Sequence, residues 1–192
     1  KEGSNTTPYS YDASNRLLTA GPQSFVYDPN GNTTSFKDSS KNLQAQYAYD
    51  FENRLTRIIQ TQPKIPATVS LFTYDGLGRR TKTNTQGTLT RFYYDGFDVL
   101  FETNGVDSLT NAYTQGPRTD EILSKRQSST DSFYLYDGLG SVTALANKQG
   151  QLLNTYNYDV FGSTRLKTGT QPNRYLYTGR EQDDTGLYYY RN

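Results

Sequence analysis

Apolar and polar positions alternate along this chain with a period of two. In QYAYDFENRLTRI, Tyr47 and Tyr49 fall on one side of an extended segment, Asp50 to Asn53 supply turn-forming residues, and Leu55, Arg57 and Ile59 resume the alternation. That pattern predicts strand, tight turn, strand. The same sentence is written again at YDASNRLLT (Tyr11 to Thr19), YDGLGRRTKT (Tyr74 to Thr83) and YDGLGSVTA (Tyr136 to Ala144). TDEILSKRQSS (Thr119 to Ser129) has weak helical spacing, but it lies inside the strand register.

Tyr-Asp pairs mark the register: Tyr11-Asp12, Tyr27-Asp28, Tyr49-Asp50, Tyr74-Asp75, Tyr94-Asp95, Tyr136-Asp137 and Tyr158-Asp159, at intervals of 16, 22, 25, 20, 42 and 22 residues. The long interval accommodates a degenerate unit, AYTQGPRTDEILSKR, with Tyr113 in the Tyr-Asp slot. One unit of about 21 residues then holds one hairpin and one connection, with Gly-centred polar links such as TNTQGTLT and ANKQGQLLN. A lone hairpin is not stable in water, so neighbouring hairpins must pair edge to edge. The expected fold is all-β: repeated antiparallel hairpins forming a curved or spiral sheet over residues 1–192.

Each repeated residue type has a physical reason. Aspartate after a strand accepts bonds from nearby backbone N–H groups. Gly78, Gly140 and Gly162, or Asn15 and Asn53 in the same slot, tolerate positive φ. The tyrosine ring covers its neighbour along the stack while its hydroxyl stays bonded or wet.

Composition narrows the chemistry. The chain has no Cys and no His, which excludes disulfides, thiolate metal sites, His-ligated zinc and a Ser-His-Asp triad. Twenty basic against nineteen acidic residues, with no basic stripe, predict no nucleic-acid partner. No apolar run reaches the length of a membrane helix, so no membrane insertion is expected. The hydrophobic share is 33%, yet Tyr supplies 18 residues and Phe 9, which points to a thin, Tyr-lined core rather than to disorder. The start KEGSNTTP without Met and the strand-forming end GLYYYRN read as a piece of a longer chain.

Sharper readings compete with bland ones at several places. DPNGN (Asp28 to Asn32) has the look of part of a calcium loop but lacks the closing Glu, so a turn is expected. GLGRRT (Gly76 to Thr81) lacks the Gly-Lys-Ser/Thr of a phosphate loop. Glu181, Asp183 and Asp184 cluster with Arg180; a solvated turn is the expected reading. The aromatic rings suit a sugar-stacking platform, but their regular placement fits cross-strand packing better. Asn5 and Asn32 begin glycosylation sequons, meaningful only in a eukaryotic secretory setting. No catalytic, cofactor-binding or metal-ligating residue is assigned.

The ordered series YDASNRLLT, YDPNGNTTS, YDFENRLTR, YDGLGRRTK and YDGLGSVTA resembles the YD repeats of the Rhs family, which spans bacterial Rhs proteins, C components of insecticidal toxin complexes and animal teneurins. The stretch YLYDGLGSVTALANKQGQLLNTYNYDVFGSTR, followed by YLYTGREQDDTGLYYYRN, is similar to the start of the Rhs repeat-associated core, here residues 131–192. The resemblance implies a spiral β-shell, enclosing a C-terminal toxin segment in bacterial members and serving adhesion in teneurins. It also implies that Asp183 and Asp184 lead toward a region whose aspartates serve self-cleavage. A lone aspartate without its partner cannot run that chemistry.

The expected role is therefore structural: a shell segment of a secreted or surface protein, bacterial rather than eukaryotic, without turnover. Its partners would be the rest of its parent chain or further copies, joined through sheet edges, and an enclosed toxin segment. A glycan- or receptor-binding adhesion module and an aspartate-dependent self-cleaving core are the alternatives.

Overall fold

A computed structural model describes residues 6–118 and 120–191. Sixteen strands form one antiparallel sheet whose spatial order is the chain order, and a separate two-stranded ribbon follows. The sheet is not closed into a barrel. Among the described residues no helix is long and apolar enough to cross a membrane. The strands fall into two compact units, one running up to Thr73 with Asn84–Gly87, the other comprising Tyr74–Thr83 and the residues from Thr88 on.

The first unit contains β1 (Tyr9–Tyr11), β2 (Leu17–Ala20), β3 (Gln23–Tyr27), β4 (Thr33–Asp38), β5 (Leu43–Tyr49), β6 (Leu55–Gln62) and most of β7 (Ile65–Tyr74). Consecutive strands pair as hairpins, and the register slips by one residue at Tyr11, Tyr27 and Tyr49, where the strand meets its turn. The core here is thin: Ala45, Ile58 and Phe72 are its buried apolar residues, and Phe25 packs on Phe36 at 5.2 Å.

In the second unit lie most of β8 (Arg80–Thr85), then β9 (Thr88–Asp95), β10 (Asp98–Thr103), β11 (Leu109–Gln115), β12 (Ile122–Gln127), β13 (Thr130–Tyr136), β14 (Val142–Ala146), β15 (Leu152–Tyr158) and β16 (Thr164–Thr168). From Asp120 on, that weakly helical stretch is thus strand and turn, not helix, while Thr119 lies outside the described residues. Period-two burial is clear in β13, where Ser132 and Tyr134 point inward and Phe133 and Leu135 outward. The inward side chains build a larger core of Phe92, Val99, Tyr113, Ile122, Tyr134, Val142, Leu145 and Tyr156. Tyr175 and Leu176 complete that core from outside the sheet. They belong to a strap, residues 169–191, which leaves the exposed edge strand β16 and returns across one face of this unit. Its end folds as a ribbon of β17 (Glu181–Gln182) and β18 (Tyr188–Tyr189).

Candidate functional site

The repeated turn is the first building block. At Asp12, Asp28, Asp50, Asp75, Asp137 and Asp159 the aspartate N–H donates to the carbonyl four residues on, and its own carbonyl accepts the N–H three residues on. The fourth residue of each turn has positive φ, 61° at Asn53 and 78° at Gly78, as a type I turn closed by a bulge requires. The carboxylate holds the loop from inside. Asp75 Oδ1, for example, accepts the N–H groups of Leu77 at 2.9 Å and Arg79 at 3.0 Å. The N–H and guanidinium of Arg16 hold the Asp12 carboxyl below its ordinary value, and the N–H groups of Phe161 and Ser163 do the same for Asp159.

The tyrosine of the pair reaches back to the preceding hairpin. Tyr27 donates to the Leu17 carbonyl, Tyr49 to Thr33, Tyr94 to Arg80, Tyr136 to Ile122 and Tyr158 to Val142, all at 2.7–2.9 Å. The Tyr74 ring lies 6.1 Å from that of Tyr189. Tyr11, in the first hairpin, is exposed instead. Tyr136→Phe should therefore cost about 1 kcal/mol in urea unfolding, the net worth of one hydrogen bond, while Tyr11→Phe should stay within about 0.5 kcal/mol of the parent. Equal values for the two would show that the reach-back bond contributes nothing.

Two assignments change register. Tyr94-Asp95 does not form the common turn: Asp95 pairs directly with Asp98 across a two-residue loop, Gly96-Phe97. In the degenerate unit, Tyr113 is not in the Tyr-Asp slot. Gln115 is, its Nε2 donating to the Val99 carbonyl at 2.5 Å as the tyrosine hydroxyls do elsewhere. Tyr113 sits two residues earlier, buried, with its hydroxyl on Glu102 Oε1 at 2.6 Å.

The second building block is a layer of charge beneath the strap. Arg80 and Glu102 are each 1% exposed, Lys125 3% and Glu181 5%. Arg80 Nη1 donates to Asp183 Oδ2 at 2.9 Å and its Nη2 lies 3.0 Å from Glu181 Oε1. Arg174 donates to the same Glu181 oxygen at 3.0 Å and its Nε lies 3.4 Å from Glu102 Oε1. Asn111 donates to the other Glu102 oxygen, and Lys125 Nζ donates to the Pro172 carbonyl. Three cations face three carboxylates, as burial demands.

The expected solvated turn around Glu181, Asp183 and Arg180 is overturned for these residues. Glu181 and Asp183 are buried because the ribbon folds them against Arg80, while Arg180 pairs with Asp120 at 2.5 Å, together with Arg191. Only Asp184 faces solvent. Burial opposes the Glu181 charge, but Arg80 and Arg174 overcome it and hold the carboxyl below its ordinary value. Burial, with Glu181 beside it, pushes Asp183 up to about 6 against the pull of Arg80. Burial brings Lys125 down to about 8.

Polar pins fix the rest of the strap. Asn154 donates to the Gln171 carbonyl and accepts its N–H, Tyr134 donates to Asn173 Oδ1 at 2.8 Å, and the Val142 N–H donates to the Leu176 carbonyl. Tyr188 donates to the Gly162 carbonyl and Tyr189 to that of Gly78, while the Arg80 guanidinium lies 4.2 Å from the Tyr189 ring. Sequence reasoning missed Arg80, Glu102, Lys125 and Arg174. The available signal was a charge at inward parity on a strand, as in Lys125, opposite Ser132.

Other candidates resolve as turns. The DPNGN carboxylate is occupied internally, with Asp28 Oδ2 accepting from Asn32 Nδ2 at 2.9 Å, and no group of metal-ligating side chains is present among the described residues. The amide of Asn32 also donates to Asn53 Oδ1, so that sequon side chain is engaged; Asn5 lies outside the described residues. GLGRRT is one of the common turns and delivers Arg80 to the interior.

The family model of the teneurin YD-shell matches residues 1–180. The chain belongs to the YD-shell family. Among curated relatives of this YD-shell chain, the tRNA3(Ser)-specific nuclease WapA of Bacillus spizizenii is 33% identical over 196 residues, covering 98% of the chain. The tRNA nuclease WapA of Bacillus subtilis is 32% identical over the same length. The YD-shell chain spans only 8% of the length of either relative. Its fold is shared with a chain of the Photorhabdus luminescens Tc holotoxin pore, at TM-score 0.58 and 15% identity, covering 96% of this chain and 13% of that one. A TcdB2–TccC3–Cdc42 crystal structure shares it at TM-score 0.53 and 20% identity, over 94% and 9%.

Proposed function

We propose that this chain is a length of shell wall in a secreted or surface bacterial protein, and that the strap-bearing face is the one turned toward an enclosed C-terminal effector. The observation that carries the reading is the strap itself. The chain's C-terminal stretch does not continue the sheet beyond β16; it returns over one face and is held there by buried ion pairs and backbone bonds. A face that accepts its own downstream chain in this way is suited to contain more of it. The nuclease named for the relatives is read as residing outside the matched 8%. The edge strand β16, exposed at all five positions, is the joint through which the wall extends into its parent or pairs with another copy.

Limited proteolysis of the full-length parent tests this. An epitope at the C-terminal end of the parent should stay uncut at protease concentrations that remove exposed linkers, and should become sensitive once the shell is unfolded in urea. Cleavage of that epitope at the same rate in folded and unfolded protein would overturn the enclosure.

A further inference from the structure

Among the described residues, the buried atoms Gln115 Oε1 and Tyr175 Oη have no hydrogen-bond partner in the protein. Burial strips such a group of water and returns nothing, so an orphan of this kind is rare in a folded chain. Gln115 is orphaned by its place in the repeat. In the regular units the slot holds a tyrosine, whose single hydroxyl is engaged by the carbonyl behind it. Gln115 meets the corresponding carbonyl, that of Val99, with its Nε2. That bond fixes the amide, because turning it over would set two oxygens face to face. Its Oε1 is left over.

Tyr175 comes from the strap. It is 6% exposed, and its ring stands edge-on to that of Tyr113 at 5.3 Å. Burial, with Glu181 and Glu102 nearby, holds its hydroxyl well above the ordinary value, so the group stays protonated and can donate. Both side chains line one cavity of about 10 Å³, which is room for a single water. Asp98 lines it as well, with Oδ1 accepting the Asp120 N–H at 2.9 Å. The Asp120 carboxylate on the same wall is already engaged by Arg180 and Arg191.

We propose that this cavity binds one water molecule, which joins Gln115 of the wall to Tyr175 of the strap. The water accepts the Tyr175 O–H and donates one hydrogen to Gln115 Oε1. Its second hydrogen turns toward the Asp98 carboxylate, giving the three bonds usual for interior water. An apolar guest would leave both oxygens unpartnered, and Arg191 on the cavity wall disfavours a cation. The glutamine of the degenerate unit thereby acquires a purpose. A tyrosine in its slot would bring no second acceptor to the strap.

Tyr175→Phe tests the site by the sign of its effect. With the water in place, the variant should raise the unfolding equilibrium constant roughly fivefold in urea titration, the worth of one lost hydrogen bond. An orphan hydroxyl is better absent, so an unchanged or lowered constant would sink the site. The loss should shrink in a Gln115→Leu background, because the two side chains share one bridge; an undiminished loss would show that they do not. A high-resolution crystal structure of the full chain gives the direct reading. It should show a density peak within hydrogen-bond reach of Gln115 Oε1 and Tyr175 Oη, and a map with no peak there would also rule the water out.

Discussion

Arg80→Met should destabilise the protein by about 3–5 kcal/mol, the cost of removing one partner from a buried ion pair. The guanidinium is shared by Glu181 and Asp183 and lies against Tyr189, so its loss leaves Asp183 without a cation and Glu181 with Arg174 alone. The methionine fills similar volume, so the effect reports charge rather than a cavity. Urea titration at neutral pH measures it. The penalty should shrink below pH 6, where Asp183 takes up a proton and no longer needs the arginine. A loss under about 1 kcal/mol at neutral pH would mean that water reaches these carboxylates and that the layer is not a sealed one.

Asp183→Asn should do the opposite: raise stability by about 2 kcal/mol at pH 7.5 and leave it unchanged at about pH 3, below the unfolded value. The folded value of about 6 lies above the ordinary carboxylate value of 3.8, so between the two the folded state binds the extra proton. The contribution of this carboxyl is fully present below the unfolded value and is lost as pH rises through about 6. Asparagine imitates the protonated form at every pH, so the variant keeps at pH 7.5 what the parent has only in acid. Glu181, held below its ordinary value, loses its contribution as pH falls instead, but it does so in parent and variant alike and cancels in the difference. The physical reason is that Glu181 and Asp183 compete for one guanidinium in a place with little water. A variant less stable than the parent at pH 7.5 would show that the Arg80–Asp183 pair outweighs the burial of the second carboxylate.

These effects fall on residues whose importance is invisible locally. Asp183 and Arg80 are 103 residues apart, and Tyr189 bonds to Gly78 across 111. The turns are the reverse case. Every bond that closes Asp75 to Arg79 lies within five consecutive residues, so Asp, a positive-φ position and an arginine in order suffice to specify it. The degenerate unit shows the limit between them. Tyr113 resembled the repeat by residue type, but Gln115 holds the position from which a side chain reaches the Val99 carbonyl, and parity along β11 decides that.

Amino-acid order alone determined the hairpins, their turns, the all-β class and the family, because alternation and turn chemistry act between near neighbours in the chain. Only the tertiary structure decided that residues 169–191 turn back over the sheet, and that Arg80, Glu102, Lys125 and Glu181 become an interior layer with the half-buried Arg174 at its rim. A charge in a strand is ordinary while one side faces water; it becomes a buried partner when a distant segment covers it. Nothing in the residues beside Arg80 states that the cover will come.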